Sequence, residues 1–199
     1  MAFVITMTGP SQCGKSTVRN FITAQEDEQF HPVILKKYST RIPRETEDDT
    51  ICVKSIPPEC DLVYEQYGVR YGFHFDDLYD AMEKGQSPII VLNDIRAVED
   101  VRTALSPQVI SIFMYRRPPD FEYFLNEEKR RAKEDISEEA IRLSAQLRFD
   151  KAKSIFRIYT ENISLFDFVV LNTSELQYTE QQIDHIVAKI KAAGRKLKV

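Results

Sequence analysis

Residues 9–17 read Gly-Pro-Ser-Gln-Cys-Gly-Lys-Ser-Thr, and this stretch decides the fold. It follows an apolar run at residues 3–7 and precedes a helix-forming segment. Glycine at positions 9 and 14 permits backbone angles and close approaches that a Cβ atom would block. The N–H groups of such a loop surround phosphate oxygens at the N-terminus of a helix, where the helix dipole also attracts anions. The stretch therefore predicts a phosphate-binding loop between a buried strand and a helix.

Two side chains of this loop carry chemistry of their own. Lys15 is predicted to place a positive charge on the outer phosphates of a nucleotide, and the Ser16 hydroxyl is placed to ligate Mg²⁺. A glycine turn that binds nothing is the structural alternative, but the strand before and the helix after it favour the phosphate loop. The residues predicted to surround the nucleotide phosphates are Gly9, Ser11, Cys13, Gly14, Lys15, Ser16 and Thr17.

The composition restricts the class of protein. The chain has 199 residues, 43% hydrophobic and 29% charged, as is ordinary for one globular domain with a substantial core. Its formal net charge of −4 argues against nucleic acid or an anionic membrane surface as a main partner. No apolar run approaches the roughly 18 residues of a membrane helix, and the first residues lack the basic region of a signal peptide. The three cysteines include no CxxC pair, which argues against a zinc site and for a reducing, cytoplasmic location.

Apolar runs alternate with amphipathic segments along the chain. Core strands are predicted at residues 3–7, 33–35 with a continuation toward 40, 88–92, 109–114 and 168–171. Helices are predicted at residues 15–24, 76–84, 97–105, 121–133, 137–162 and 179–193. Residues 41–58 are polar and rich in proline, which predicts an excursion from the core, and Gly68 is expected to divide a small hairpin. The alternation predicts a three-layer α/β fold around a parallel central sheet.

Two arginines, at positions 41 and 44, follow the second predicted strand and flank a proline. Since parallel strands end at one edge of their sheet, the arginines are expected beside the phosphate loop. Planar guanidinium groups meet phosphate oxygens in pairs, so Arg41 and Arg44 predict a second phosphate site. They could instead lie in a solvated loop and pair with the acidic residues Glu45, Glu47 and Asp48.

The order of these motifs resembles that of the guanylate kinase family of nucleoside monophosphate kinases. The matching segments are residues 9–17, 39–44, 69–72, 91–94, 110–114 with the prolines at 118 and 119, the arginines at 131 and 142, and residues 169–172. Their span covers essentially the full chain. The resemblance implies a P-loop kinase fold in a single domain, whose core comprises about residues 1–40, 76–120 and 163–199. It also implies a small acceptor-binding lid at about 41–75 and a helical lid at about 121–145.

The resemblance assigns roles to individual residues. Catalytic charge would come from Lys15, Arg131 and Arg142, although the two arginines could also form surface pairs such as Arg142 with Glu138. Asp94 would lie near the acceptor base and the metal, and its competing interpretation is an N-cap for the following helix. The remaining assignments are Lys37, Arg41, Arg44, Glu65 and Tyr71 for the acceptor and Asn172 for the adenine pocket.

The chain departs from the family pattern at the acceptor. Lys37 occupies the position of a phosphate-binding serine, Leu92 replaces a carboxylate, and Phe73 stands where a small hydroxyl residue is common. The guanine-reading glutamate aligns near Leu62, so that Glu65 or Asp61 would substitute for it. The resemblance implies ATP- and Mg²⁺-dependent phosphoryl transfer to a nucleoside monophosphate, with GMP or dGMP as the first candidate. Another phosphorylated acceptor, such as ribose bisphosphate, and a non-catalytic module that binds phosphoproteins are the alternatives.

Overall fold

The computed structural model describes residues 2–10, 13–43, 49–66, 68–116, 119–132, 136–173 and 175–196, without the side chains of residues 131, 155, 195 and 196. Its strands are β1 (Val4–Thr8), β2 (Pro32–Ile34), β3 (Lys37–Ser39), β4 (Thr50–Cys52), β5 (Leu62–Gln66), β6 (Val69–Phe73), β7 (Ser87–Val91), β8 (Val109–Tyr115) and β9 (Phe168–Leu171). Its helices are α1 (Lys15–Thr23), α2 (Phe75–Glu83), α3 (Ile95–Leu105), α4 (Phe121–Arg131), α5 (Glu138–Glu161) and α6 (Leu176–Lys196), with a 3₁₀ turn at Ile163–Leu165.

The central sheet has five strands in the order β2-β7-β1-β8-β9, and every pairing in it is parallel. Side chains alternate between its two faces, so Ile5 and Met7 pack with α1 and α6 while Val4 packs with α3. Because helices cover both faces, all five residues of β1 are buried. This arrangement confirms the predicted three-layer α/β fold with a parallel central sheet.

A second sheet of four strands lies beside the first, in the order β4-β3-β6-β5. Its β5 and β6 form the predicted hairpin, and Gly68 at the turn has a φ of 74°. The sequence predicts one strand that runs from Val33 toward Thr40, and this prediction is wrong. The backbone N–H of Leu35 still donates to Ile89 of β7, but that of Lys37 donates to Asp49 at 3.1 Å. The strand breaks because its pairing partner changes between these two residues.

The helices α4 and α5 pack on each other and enclose a small core of their own. This core contains Phe124, Leu125, Ala145 and Ala152, with Phe121, Ile141 and Phe149 packed against it. Both helices begin at a side-chain cap, with Asp120 accepting from Tyr123 N at 3.0 Å and Ser137 accepting from Ala140 N at 3.3 Å. The packing between the two helices extends to Ala152, and the lid bounds of about 121–145 stay a prediction. None of the helices in the described part of the chain combines the length and the apolarity that crossing a membrane requires.

Candidate functional site: a phosphate loop facing a buried cationic cluster

The two glycines of the loop are required by its geometry. A Cβ atom on Gly9 would lie 2.7 Å from Cys13 Sγ and 2.8 Å from the carbonyl oxygen of Met114. Gly14 has a φ of 93° and forms the N-cap of α1, where a Cβ atom would lie 2.7 Å from Asn172 Nδ2. A side chain at either position would therefore displace the loop or its neighbours.

Lys15 lies within the loop at the N-terminus of α1. Its Nζ donates to the carbonyl oxygens of Gly9 and Pro10, both at 2.7 Å. The next two side chains, Ser16 and Thr17, are exposed on the first turn of the helix. This turn contains no acidic residue, so the positive end of the helix dipole is not offset there by a carboxylate of its own. The arrangement presents an ammonium group, hydroxyls and helix N–H groups to an anion; Ser11 lies outside the described residues.

Asn172 follows β9 and lies against the loop. Its Nδ2 donates to the carbonyl oxygen of Cys13 at 2.9 Å, next to the position where Gly14 lacks a side chain. The family resemblance assigns Asn172 to the adenine pocket, and that role stays a prediction. The structure gives the residue a contact with the phosphate loop itself, which the sequence did not indicate because the partners are far apart in the chain.

A buried cluster of charges links α1 to the second sheet. Its centre is Asp49, whose Oδ2 lies 3.4 Å from Arg19 Nη1 and 3.7 Å from Lys37 Nζ. The ammonium of Lys37 also donates to the carbonyl oxygen of Val91 at 3.1 Å, at the carboxyl end of β7. The side chains of Lys37 and Arg19 are only 6% and 7% exposed, so their charges depend on neighbours within the protein.

The electrostatics of this cluster follow from burial and from the opposite charges within it. The pKa of Lys37 is lowered to about 8: burial is the largest cause, Asp49 opposes it, and the charges of Arg41 and Lys15 add to the lowering. Burial pushes the pKa of Asp49 upward, but Lys37, the Thr50 hydroxyl and the nearby arginines outweigh it. The pKa of this carboxyl therefore lies below its ordinary value. Because the positive charge of Lys15 contributes to the lowered pKa of Lys37, the electrostatic potential of the phosphate loop extends to the second sheet.

Arg41 lies at the edge of this cluster, just after β3. Its Nη2 donates to the Thr50 hydroxyl at 3.2 Å, and that hydroxyl donates to Asp49 Oδ1 at 2.9 Å. Tyr71 is half-buried on β6, where it stacks on Tyr64 with ring centroids 5.1 Å apart. The structure therefore joins Lys37 and Arg41 through Asp49 and Thr50. Arg44, predicted as the second arginine of the acceptor site, lies outside the described residues.

Glu65 and Asp94 line one cavity of about 550 Å³, between the second sheet, the start of α3 and the end of α5. Asp94 also caps α3, since its Oδ1 accepts from Ala97 N at 3.0 Å. Asn93 lines the same cavity, and its carbonyl oxygen accepts from the Tyr159 hydroxyl and from Gln66 Nε2. The capping alternative for Asp94 is therefore present in the structure, while its second carboxylate oxygen remains compatible with the predicted acceptor role.

Both predicted lid arginines lie on the helical pair, and Arg142 is the one whose side chain is described. Arg142 is exposed on α5, and its guanidinium carbon lies 5.7 Å from the centre of the Phe121 ring of α4. This contact is a cation–π interaction between the two helices. Arg131 is the last residue of α4, and its side chain lies outside the described residues. The catalytic roles of both arginines stay predictions.

Sequence reasoning missed Arg19, Asp49, Thr50 and Gln66. A buried arginine on α1 has no distinguishing local signal, because its position reads as one polar residue in an amphipathic helix. Asp49 belongs to an acidic run that is typical of a solvated loop. Only the pairing of β3 with β4 brings Asp49 and Thr50 beside Lys37.

The chain matches known proteins by its structure and not by its sequence. No protein-family model matches the chain, and no curated protein matches it. Its structure matches 74 chains of solved structures. Among them is the guanylate kinase from Anaplasma phagocytophilum, with a TM-score of 0.55 and 21% sequence identity, covering 96% of this chain and 86% of that one. The chain therefore has a guanylate-kinase-like fold, consistent with the P-loop kinase fold that its sequence predicts.

Proposed function

We propose that this protein transfers a phosphoryl group from ATP to a small phosphorylated acceptor, with GMP or dGMP as the first candidate. The observation that carries the proposal is the proximity of two cationic sites at one sheet edge. Lys15 follows β1 in the phosphate loop, and Lys37 donates to the carbonyl oxygen of Val91 at the end of β7, the strand that pairs with β1. Lys37 in turn belongs to the buried cluster with Arg41. Two neighbouring cationic sites could bind the phosphates of a donor and of an acceptor side by side.

Phosphoryl transfer needs alignment of the two substrates and positive charge where the charge of the transferring group spreads. The helix N-terminus and Lys15 would hold the outer phosphates of the donor. Lys37 and Arg41 would hold the acceptor phosphate, and Arg142 would approach from the helical pair. Closure of the second sheet and the helical pair over the substrates would exclude water, so that the donor is not hydrolysed.

The residues of the loop fit a magnesium ion that arrives with the nucleotide. Mg²⁺ in such sites takes one or two protein ligands and fills its remaining positions with water and phosphate oxygens. The exposed Ser16 hydroxyl on the first turn of α1 is suited to be one of these ligands. The ion would neutralise charge on the triphosphate. Among the described residues, no group of three or more histidine, cysteine, aspartate or glutamate side chains forms a separate metal site.

The residues at the proposed base pocket depart from the family pattern, so acceptors other than GMP also need to be tested. Leu92, at the position of a family carboxylate, is fully buried and so cannot read a base edge. Glu65 is exposed and lines the cavity, and one carboxylate oxygen of Asp94 already accepts the hydrogen bond that caps α3. A sugar bisphosphate has no base to be recognised, and another nucleoside monophosphate would need different base contacts from those of GMP. A non-catalytic phosphoprotein-binding module has no need of the intact loop around Lys15.

The test is a coupled assay with ATP and a panel of GMP, dGMP, AMP, CMP, UMP, dTMP and ribose bisphosphate. We expect ADP release that depends on the acceptor, with GMP or dGMP giving the highest kcat/KM. The Lys15→Ala variant is the blank for contaminating kinases. Binding of nucleotide without turnover of any acceptor would contradict an enzymatic role and favour the binding module.

A further inference from the structure

The pairing of β4 with β3 places two side chains beside the predicted acceptor site. In this parallel pair, Lys37 lies opposite Thr50, and the backbone N–H of Lys37 donates to the Asp49 carbonyl oxygen. The register therefore fixes the Asp49 and Thr50 side chains next to the acceptor-site cations. Strand β4 has only three residues and is half-exposed, so burial of apolar surface contributes little to its stability.

The hydrogen bonds of these side chains form one chain. The Thr50 hydroxyl accepts from Arg41 Nη2 and donates to Asp49 Oδ1, while Asp49 Oδ2 faces Lys37 and Arg19. A hydroxyl has one proton and can accept from other donors at the same time, so both contacts of Thr50 are compatible. Arginine binds phosphate well only when its planar fork is held in the correct orientation. Thr50 holds one nitrogen of that fork.

We propose that Asp49 and Thr50 are positioning residues, which hold Lys37 and Arg41 in the geometry that binds the phosphate of the acceptor. The proposal rests on the proposed function and names residues that contact the two cations rather than the reacting atoms. Asp49 keeps the buried ammonium of Lys37 beside the Val91 carbonyl. Thr50, which donates to Asp49, accepts from Arg41 and so fixes the position of its guanidinium group. Through Arg19, the same carboxylate ties the acceptor site to the helix that begins at the phosphate loop.

Thr50 gives the cleanest test, because valine has nearly the shape of threonine and removes only the hydroxyl. Binding of GMP and of inorganic phosphate is measured by titration calorimetry for wild type, Thr50→Val and Thr50→Ser. We expect Thr50→Val to weaken both ligands about fivefold, as the loss of one hydrogen bond predicts. Thr50→Ser keeps the hydroxyl and should bind within about twofold of wild type. The affinity for a non-hydrolysable ATP analogue should not change in either variant.

Asp49→Asn tests the other half of the pair, with Asp27→Asn as the control. Asp27 also forms an ion pair with a lysine, Lys191 at 2.6 Å, but it lies after the C-terminal end of α1, whereas the phosphate loop lies at the N-terminal end of that helix. We expect Asp49→Asn to weaken GMP binding at least tenfold, because it leaves buried cations without their carboxylate. Asp27→Asn should bind GMP as wild type does. If Asp49→Asn does not fold, the Thr50 variants still decide the proposal.

The outcomes separate this inference from the proposed function. Weaker binding of GMP and phosphate by Thr50→Val supports the positioning role even if no acceptor is turned over, and in that case only the kinase function fails. Equal binding by wild type and Thr50→Val would overturn the inference, since the cluster would then be purely structural. Failure of wild type to bind either GMP or phosphate would overturn it as well, because no anion would be there for the pair to position.

Discussion

Asn172 donates a 2.9 Å hydrogen bond to the carbonyl oxygen of Cys13, across 159 positions of the chain. The same amide fills the space that a side chain on Gly14 would need, 2.7 Å from the site of its Cβ atom. The end of the last strand of the central sheet thus supports the turn that begins α1. The shape of the phosphate loop depends on this contact as well as on its own glycines.

We expect Asn172→Ala to weaken the binding of ATP and GTP by the same factor, about fivefold, because the loop loses a hydrogen bond that no nucleotide base replaces. The measurement compares the two affinities by calorimetry, with the exposed Asn20→Ala as the control. A loss confined to ATP would instead support the adenine role assigned from the sequence.

Lys15→Ala should lower kcat at least a hundredfold, since it removes a preorganised positive charge from the transferring group. Its ammonium donates to the carbonyl oxygens of Gly9 and Pro10 and lies 3.7 Å from Cys13 Sγ. Because these contacts lie within the loop itself, the melting temperature should stay close to that of wild type. Lys36→Ala, at an exposed position, is the matched control. Retained turnover in the Lys15 variant would rule out the assigned role.

Asp94 has two interpretations, and serine distinguishes them because it also caps helices. Asp94→Ala should cost about 1 kcal/mol of unfolding free energy, while Asp94→Ser should cost little. We expect Asp94→Ser to lower kcat/KM for the acceptor at least tenfold despite its normal stability, because the cavity loses a carboxylate. Normal kinetics with normal stability would show that Asp94 acts only as a cap.

Lys37 should make acceptor binding depend on pH. Its pKa of about 8 means that the ammonium loses its proton as the pH rises through that value, in the field of Asp49, Arg41 and Lys15. We expect kcat/KM for the acceptor to fall above about pH 8, and we expect this limb to vanish in Lys37→Met. A limb that persists in the variant must come from another group.

The same residue gives a prediction for stability. Between pH 8 and the ordinary pKa of 10.5, the unfolded chain binds more protons at Lys37 than the folded chain does. The free energy of unfolding of wild type should therefore rise relative to that of Lys37→Met across this window. Urea unfolding of the two proteins at several pH values measures the difference. A fall in that difference would mean that the folded state does not depress the pKa of Lys37.

The phosphate loop could be predicted because its signal is local. The residues from Gly9 to Thr17 are contiguous in the sequence, so the motif can be recognised without knowledge of which distant segments pair. The elements that follow could be predicted almost as well: α3 and β8 are found within two residues of their expected bounds, because buried parallel strands and amphipathic helices have strong periodicities.

The acceptor half could be predicted only in part, because its geometry depends on pairing between distant segments. The chain leaves the central sheet between Leu35 and Lys37, where the sequence contains no glycine or proline that would indicate a turn. Asp49 is buried among cations, yet in sequence it is one of several acidic residues in a polar run. Arg19 likewise becomes recognisable only when β4 brings Asp49 to it.

The most direct test of phosphoryl transfer between two sites follows the labelled γ-phosphate of ATP in a single turnover with GMP present. We expect the label to appear in GDP, with little as inorganic phosphate, and we expect neither product from Lys15→Ala. Label that appears only in inorganic phosphate, at a rate independent of GMP and of every other acceptor of the panel, would contradict a two-site kinase.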